Sequence, residues 1–182
     1  MKKILIGATA AAALAAGTFG AVSANASAPA APAAAPAAAA KADAANKNLQ
    51  QSTHLTIEAA TKAAQATLDA AEDENQRVTV AVVDRNGNTL VTLRGDGAGP
   101  QSYESAERKA FTAVSWNAPT SVLAGRLAQA PNLKDIPGTL FLGGGVPVTA
   151  KGAPIAGIGV AGAPSGDLDE KFARAGAEAL GK

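Results

Sequence analysis

Asn86-Gly87, set between two short β-branched runs, constrains this fold more than any other feature of the sequence. Residues 77–83, Arg-Val-Thr-Val-Ala-Val-Val, read as a strand. Asn-Gly is the strongest two-residue hairpin signal, because the favoured turn needs positive φ at both central positions. The return strand runs from Thr89 to Arg94, and the loop Gly95-Asp96-Gly97-Ala98-Gly99-Pro100 closes the unit. Two strands joined this tightly must pair antiparallel.

The elements around the hairpin follow from periodicity. Thr56 is a good N-cap, with Glu58 in the first turn, and Ile57, Ala60, Ala64, Leu68 and Ala71 recur at helical spacing through Asp73. A second helix is expected over residues 101–115, with Tyr103, Ala106, Ala110 and Ala113 along one stripe. Pro119 breaks it, and a shorter helix over 120–130 ends at Pro131. A strand over 139–142 follows, then Gly143-Gly144-Gly145, and strands over 146–149 and 155–161 pair around a turn at Lys151-Gly152. Asp167 and Glu170 form an acidic variant of the capping box, opening a last helix with Leu168, Phe172, Ala175 and Ala179 inward. Hairpins without βαβ alternation give an α+β fold: a five-stranded antiparallel sheet with packing helices.

The 182 residues suit one domain with appendages. Lys2 and Lys3, an uncharged stretch to Val22 and the Ala24-Asn25-Ala26 site have the order of a secretory signal peptide over residues 1–26. Residues 27–49 are an Ala/Pro-rich linker, an extended spacer rather than a packed element. The folded domain is expected over 50–182, and the mature chain is expected outside the cell, on the cell-wall side of the membrane.

Composition removes whole classes of chemistry. There is no cysteine, hence no disulfide, thiol catalysis or Cys-ligated metal. His54 is the single histidine, so a two-histidine site within one chain is excluded. No Ser/His/Asp set is evident, which disfavours hydrolysis. A net charge of +1 is too balanced for binding nucleic acid through its phosphates. Gly143-Gly144-Gly145 lacks the Lys-Ser/Thr of a phosphate loop. Gly157, Gly159 and Ala161 share a strand face with almost no volume, which admits a helix, another subunit or the edge of a flat ligand. Asp84, just before the turn, reads as a carboxylate capping the hairpin.

Five segments together resemble the GlcG/HbpS haem-degrading family: residues 80–87, 94–98, 108–113, 143–148 and 157–162. The resemblance implies a profilin/PAS-like sandwich and a homo-oligomer of four to eight subunits. It also implies haem as ligand, with relatives that handle corrinoids. The secreted start is closest to the family's extracellular haem-binding branch.

Haem iron takes an axial His, Cys, Met or Tyr. With no Cys and the sole Met at the start of the signal peptide, His54, Tyr103 and hydroxyls such as that of Thr139 remain. Arg85, Arg94, Arg108 and Lys109 are candidate partners of the propionates, Arg108 and Lys109 foremost. Glu104 and Glu107, one helical turn apart, offer hard oxygen donors suited to iron, or else a solvated salt-bridge face with Arg108. Asp69 with Glu72, Asp73 and Glu74 reads as a solubilising helix end. The implied function is an exported haem-binding protein that slowly degrades haem, binds the released iron and reports haem or redox state to a membrane sensor kinase. The alternative is a carrier or enzyme for a corrinoid or hydroxy acid, with no role in haem.

Overall fold

Short runs of small and β-branched residues become four strands among residues 42–181, the part described by the structure, a computed structural model. They are β1 (Thr79–Asp84), β2 (Thr89–Arg94), β3 (Gly145–Ala150) and β4 (Ala153–Ala161). All neighbours are antiparallel, in the order β2-β1-β4-β3. The expected signal peptide, and the expected linker up to residue 41, lie outside the described residues.

Four α-helices cover the sheet: α1 (Ile57–Asp73), α2 (Ser102–Trp116), α3 (Thr120–Gly125) and α4 (Gly166–Ala179). Alternation sorts the strand residues between two faces. Val80, Val82, Val146, Val148, Ile158 and Val160 face α1 and α4, where Ala60, Ala64, Phe172 and Ala173 complete the larger core. Ala81, Val83 and Ala161 face α2 and meet Ala106, Ala110 and Val114. The sheet is therefore the middle layer of three.

The near-empty strand face is taken by a helix. A Cβ placed on Gly157 would collide with the carbonyl oxygen of Ala110, and one on Gly159 with that of Ala106. At Gly145 it would meet the carbonyl of Lys109. Backbone thus rests on backbone, and α2 comes as close to β3 and β4 as the chain allows. The open choice among helix, subunit and ligand resolves to the helix.

Three expectations need correction. The strand expected over 139–142 is absent, so the sheet has four strands and not five. That segment spends its polar groups on α2: the Leu140 N–H donates to Thr112 Oγ1 (2.8 Å) and Arg108 donates to the Thr139 carbonyl (2.7 Å). Phe141 meets Trp116 edge to face at 5.3 Å. The helix expected over 120–130 stops at Gly125 and continues as a 3₁₀ turn over Arg126–Ala128. Finally, α4 is capped by Ser165, whose Oγ accepts the Leu168 N–H at 3.2 Å, and not by Asp167 with Glu170. Its buried face then turns to Asp169, Phe172, Ala173 and Gly176.

Gly159→Ala tests the seat of α2. The added methyl has no rotamer by which to avoid backbone, so destabilisation of about 3 kcal/mol or more is expected. Urea unfolding measures it, and a loss under about 0.5 kcal/mol, the scale of an ordinary surface substitution, would contradict the contact.

Candidate functional site

Because one face of α2 is fixed against the sheet, the opposite flank presents Glu104, Glu107, Arg108 and Phe111, three or four residues apart. Glu104 is 78% exposed and pairs with Arg108 at 3.4 Å. The same guanidinium donates to the Thr139 carbonyl at 2.7 Å, so it ties the helix to the loop that precedes β3. Thr139 is buried, and its hydroxyl donates to the Ile136 carbonyl at 2.8 Å. Glu107 accepts from Thr92 Oγ1 of β2 at 3.2 Å. Glu104, Glu107 and Arg108 therefore share one surface, and Arg108 reaches the buried Thr139 through its carbonyl.

Beside them lies a shallow cleft of about 280 Å³, lined by Val83, Gly87, Glu107, Arg108, Phe111 and Gly138. Both glycines have positive φ, +89° at Gly87 and +80° at Gly138. A Cβ at Gly87 would stand 3.0 Å from the Phe111 ring, and one at Gly138 would stand 3.5 Å away. The ring is half-buried against the Val83 cluster, and the two glycines put no side chain over its remaining edge. A flat apolar ligand could lie on Phe111 with an anionic group at Arg108.

The rim of this cleft is held by Asp84. Its Oδ1 accepts the Asn86 and Asn88 N–H groups, both at 2.8 Å, and Asn88 Nδ2 reaches Oδ2 at 3.1 Å. Burial pushes the Asp84 pKa up, but the bonds from Asn88 and Asn86 and the nearby charge of His54 outweigh it and leave it below the ordinary value.

Two expected ligand-binding residues are not among those that line the cleft. His54 is exposed ahead of α1, its Nε2 2.6 Å from Ser52 Oγ. Its charge acts on Asp84, in the turn that carries Gly87. Lys109 is a correction. Its ammonium is turned inward, to Asp169 Oδ2 at 2.7 Å and the Val160 carbonyl at 2.9 Å, with both side chains no more than 5% exposed. It cannot meet a ligand carboxylate without breaking that pair. Burial raises the Asp169 pKa against the lowering pull of Lys109 and the Ala163 N–H. Glu170, beside it, accepts from Ser121 N (3.0 Å) and Oγ (2.8 Å) and from Arg174 (2.6 Å), fastening α3 to α4.

Sequence reasoning missed Phe111, Gly87 and Gly138 as a cleft, and Asp169 as the partner of Lys109. Helical spacing held the signal for Phe111, which stands four residues from Glu107 and three from Arg108. For Asp169 the signal was the i, i+3, i+4, i+7 set it forms with Phe172, Ala173 and Gly176. Among the described residues, no group of three or more His, Cys, Asp or Glu is placed to hold a metal ion.

The fold and the cleft define a small α+β domain with a shallow apolar site bordered by one guanidinium and two carboxylates. The family model for haem-degrading protein HbpS-like matches residues 55–178, and the chain belongs to that family. A crystal structure of a double mutant of Streptomyces reticuli HbpS, with aspartate for two glutamates three positions apart, is 78% identical. It aligns with TM-score 0.78 over 81% of this chain and 100% of that one. A PduOC–haem complex is 26% identical, with TM-score 0.64 over 70% of this chain and 95% of that one. An uncharacterised 15.0 kDa protein of Citrobacter freundii is 34% identical over 122 residues, 64% of this chain and 85% of its own.

The Lys109–Asp169 pair gives a sharp test. Lys109→Met alone strands a buried carboxylate and should cost roughly 3–5 kcal/mol. Replacing both residues with Met and Leu should recover most of that loss. Chemical denaturation of the three proteins checks it; equal losses in the single and double variants would show that no pair energy exists.

Proposed function

We propose that this chain is an exported haem-binding protein that slowly degrades haem and keeps the released iron. The family supports a haem-related role, and one observation carries the reading to particular residues: the half-buried Phe111 ring that lines the cleft beside Arg108. The cleft suits a porphyrin by its chemistry. Phe111 and Val83 offer an apolar face, Gly87 and Gly138 leave room for a flat ring, and Arg108 matches a propionate. At about 280 Å³ the cleft falls just below the roughly 300–1,000 Å³ usual for ligand sites, so it takes part of a macrocycle and leaves the rest open.

Bound haem would supply the redox iron, and dioxygen or peroxide from solution would be the oxidant of its ring. The chain's part is to hold the macrocycle, and Thr139, the residue after Gly138, is buried with its hydroxyl on the Ile136 carbonyl and braces the loop that forms one wall. No thiolate or imidazole stands in the cleft wall, so the reading is of a loosely ligated, self-degrading haem rather than an electron carrier. Arg108 orients the propionate and keeps Thr139 in place through its carbonyl. Glu104 and Glu107 would take iron leaving the ring, since paired carboxylates suit that ion. Within this reading the domain is profilin/PAS-like, assembles as a homo-oligomer of four to eight subunits and reports to a membrane sensor kinase.

Haemin titration followed at the Soret band tests the cleft. Phe111→Ala and Arg108→Gln should each weaken binding about tenfold, the scale of one charged hydrogen bond or one stacked ring. Thr139→Ala should shift the band, and His54→Ala should leave affinity unchanged. Unaltered binding in the Phe111 and Arg108 variants would move the site away from α2.

Iron is tested separately. Glu104→Gln with Glu107→Gln should abolish ferric-ion uptake, measured on haem-free protein, while haemin affinity stays within about twofold (under 0.5 kcal/mol). Equal loss of both activities would show one shared site.

A further inference from the structure

We propose that β2 is an assembly edge, and that two copies of this chain pair antiparallel through it. The two edges of the sheet differ in kind. Gly95 N–H donates to the Val78 carbonyl, and the register places Val80 opposite Leu93 and Val82 opposite Val91. In an antiparallel ladder hydrogen-bonded and non-bonded pairs alternate, so those pairs face inward. The N–H and C=O of Thr92 and Arg94 therefore point away from the sheet, and no described residue is bonded to them. On the opposite edge, Val160 N–H donates to the Gly144 carbonyl, which by the same count turns Gly145 and Pro147 outward. Pro147 has no N–H to offer, a common way to close an edge.

β2 has no proline over residues 91–94, and its one charged side chain there, Arg94, is engaged with the Ala98 carbonyl. Its irregularity is confined to Leu90, next to the turn. Leu90, Val91 and Leu93 are only half-buried, although the equivalent positions of β1 are fully buried. α2 lies mainly over β4, β1 and β3, so this edge is also the least covered part of its face. An unpaired, apolar, proline-free strand needs an extended partner, and β2 itself is one that fits. A two-fold axis through Thr92 lets each copy donate its Thr92 N–H to the Thr92 carbonyl of the other, with Arg94 facing Leu90.

The pairing also bears on the carboxylates. Thr92 holds Glu107 at 3.2 Å, and paired residues of this kind stand about 5.5 Å apart at Cα. Two Glu107 side chains would then lie on the same face beside one axis. Each chain supplies only Glu104 and Glu107, too few donors for a full ligand set, and the second copy doubles them.

This inference rests on the self-association proposed above, but not on haem, so its test uses haem-free protein. Thr92→Pro removes the outward N–H and leaves every bond to β1 intact. Light scattering should report at least a twofold fall in mass, with unchanged circular dichroism. In the unaltered protein, hydrogen exchange at the Thr92 and Arg94 amides should be slowed at least tenfold relative to an unpaired strand, with protection lost on dilution. That measurement decides the matter if the variant does not fold. An assembled protein whose Thr92 and Arg94 amides exchange freely overturns the edge but leaves the oligomer standing. A monomer at all concentrations overturns both. Protection that does not depend on concentration assigns the edge to the chain's own residues and overturns the pairing.

Discussion

Everything in this domain is arranged around a helix seated directly on glycine. Gly145, Gly157 and Gly159 let the backbone of α2 reach the sheet, and Ala106 and Ala110 complete the contact from the helix side. Such close approach gains dispersion contacts over a long interface without any large side chain. It explains how a chain with only 3% aromatic residues builds a stable second core. It also fixes the rotation of α2, since any turn of the helix would drive backbone into backbone. Which residues of α2 face outward is thereby decided: Glu104, Glu107, Arg108 and Phe111.

The polar groups then divide by role. Lys109 and Asp169 are buried together and join α2 to α4, while Glu170 joins α4 to α3. A buried ion pair adds little net stability once desolvation is counted. Its value here is positional, because Asp169 also holds the Ala163 N–H at 3.0 Å and so orders the chain between β4 and α4. Arg108, one residue away, has the opposite character. It is half exposed and bonded to a carboxylate and a carbonyl, both of which it can release. Neighbouring cations on one helix thus separate into an internal strut and a half-exposed tie at the surface.

The fold was largely legible where a local rule governs it. The Thr56 cap of α1 and the β3–β4 turn stand where turn and cap chemistry put them, and the first hairpin forms at Asn86-Gly87 as a four-residue loop in which Gly87 alone has positive φ. Residues 139–142 misled because β-branched and aromatic residues suit a strand, yet their amides and carbonyls find partners on α2 instead. Local propensity carries no information about that competition. The site was legible in part. Glu104, Glu107, Arg108 and Thr139 converge because helical spacing and one long-range bond bring them together. Lys109 was misread because its charge suggests solvent, whereas its position on the buried stripe demands a partner that only the folded chain supplies.

The Asp84 turn has a consequence for acid tolerance. Gly87 forms one wall of the Phe111 cleft, and its position depends on a carboxylate that accepts three N–H groups. Such a carboxylate stays ionised to lower pH than a free one, since each donor favours the charged form. Its stabilising effect is complete above the ordinary carboxylate range and fades only as pH falls through its own depressed value. The mouth of the cleft therefore keeps one shape through mild acidification.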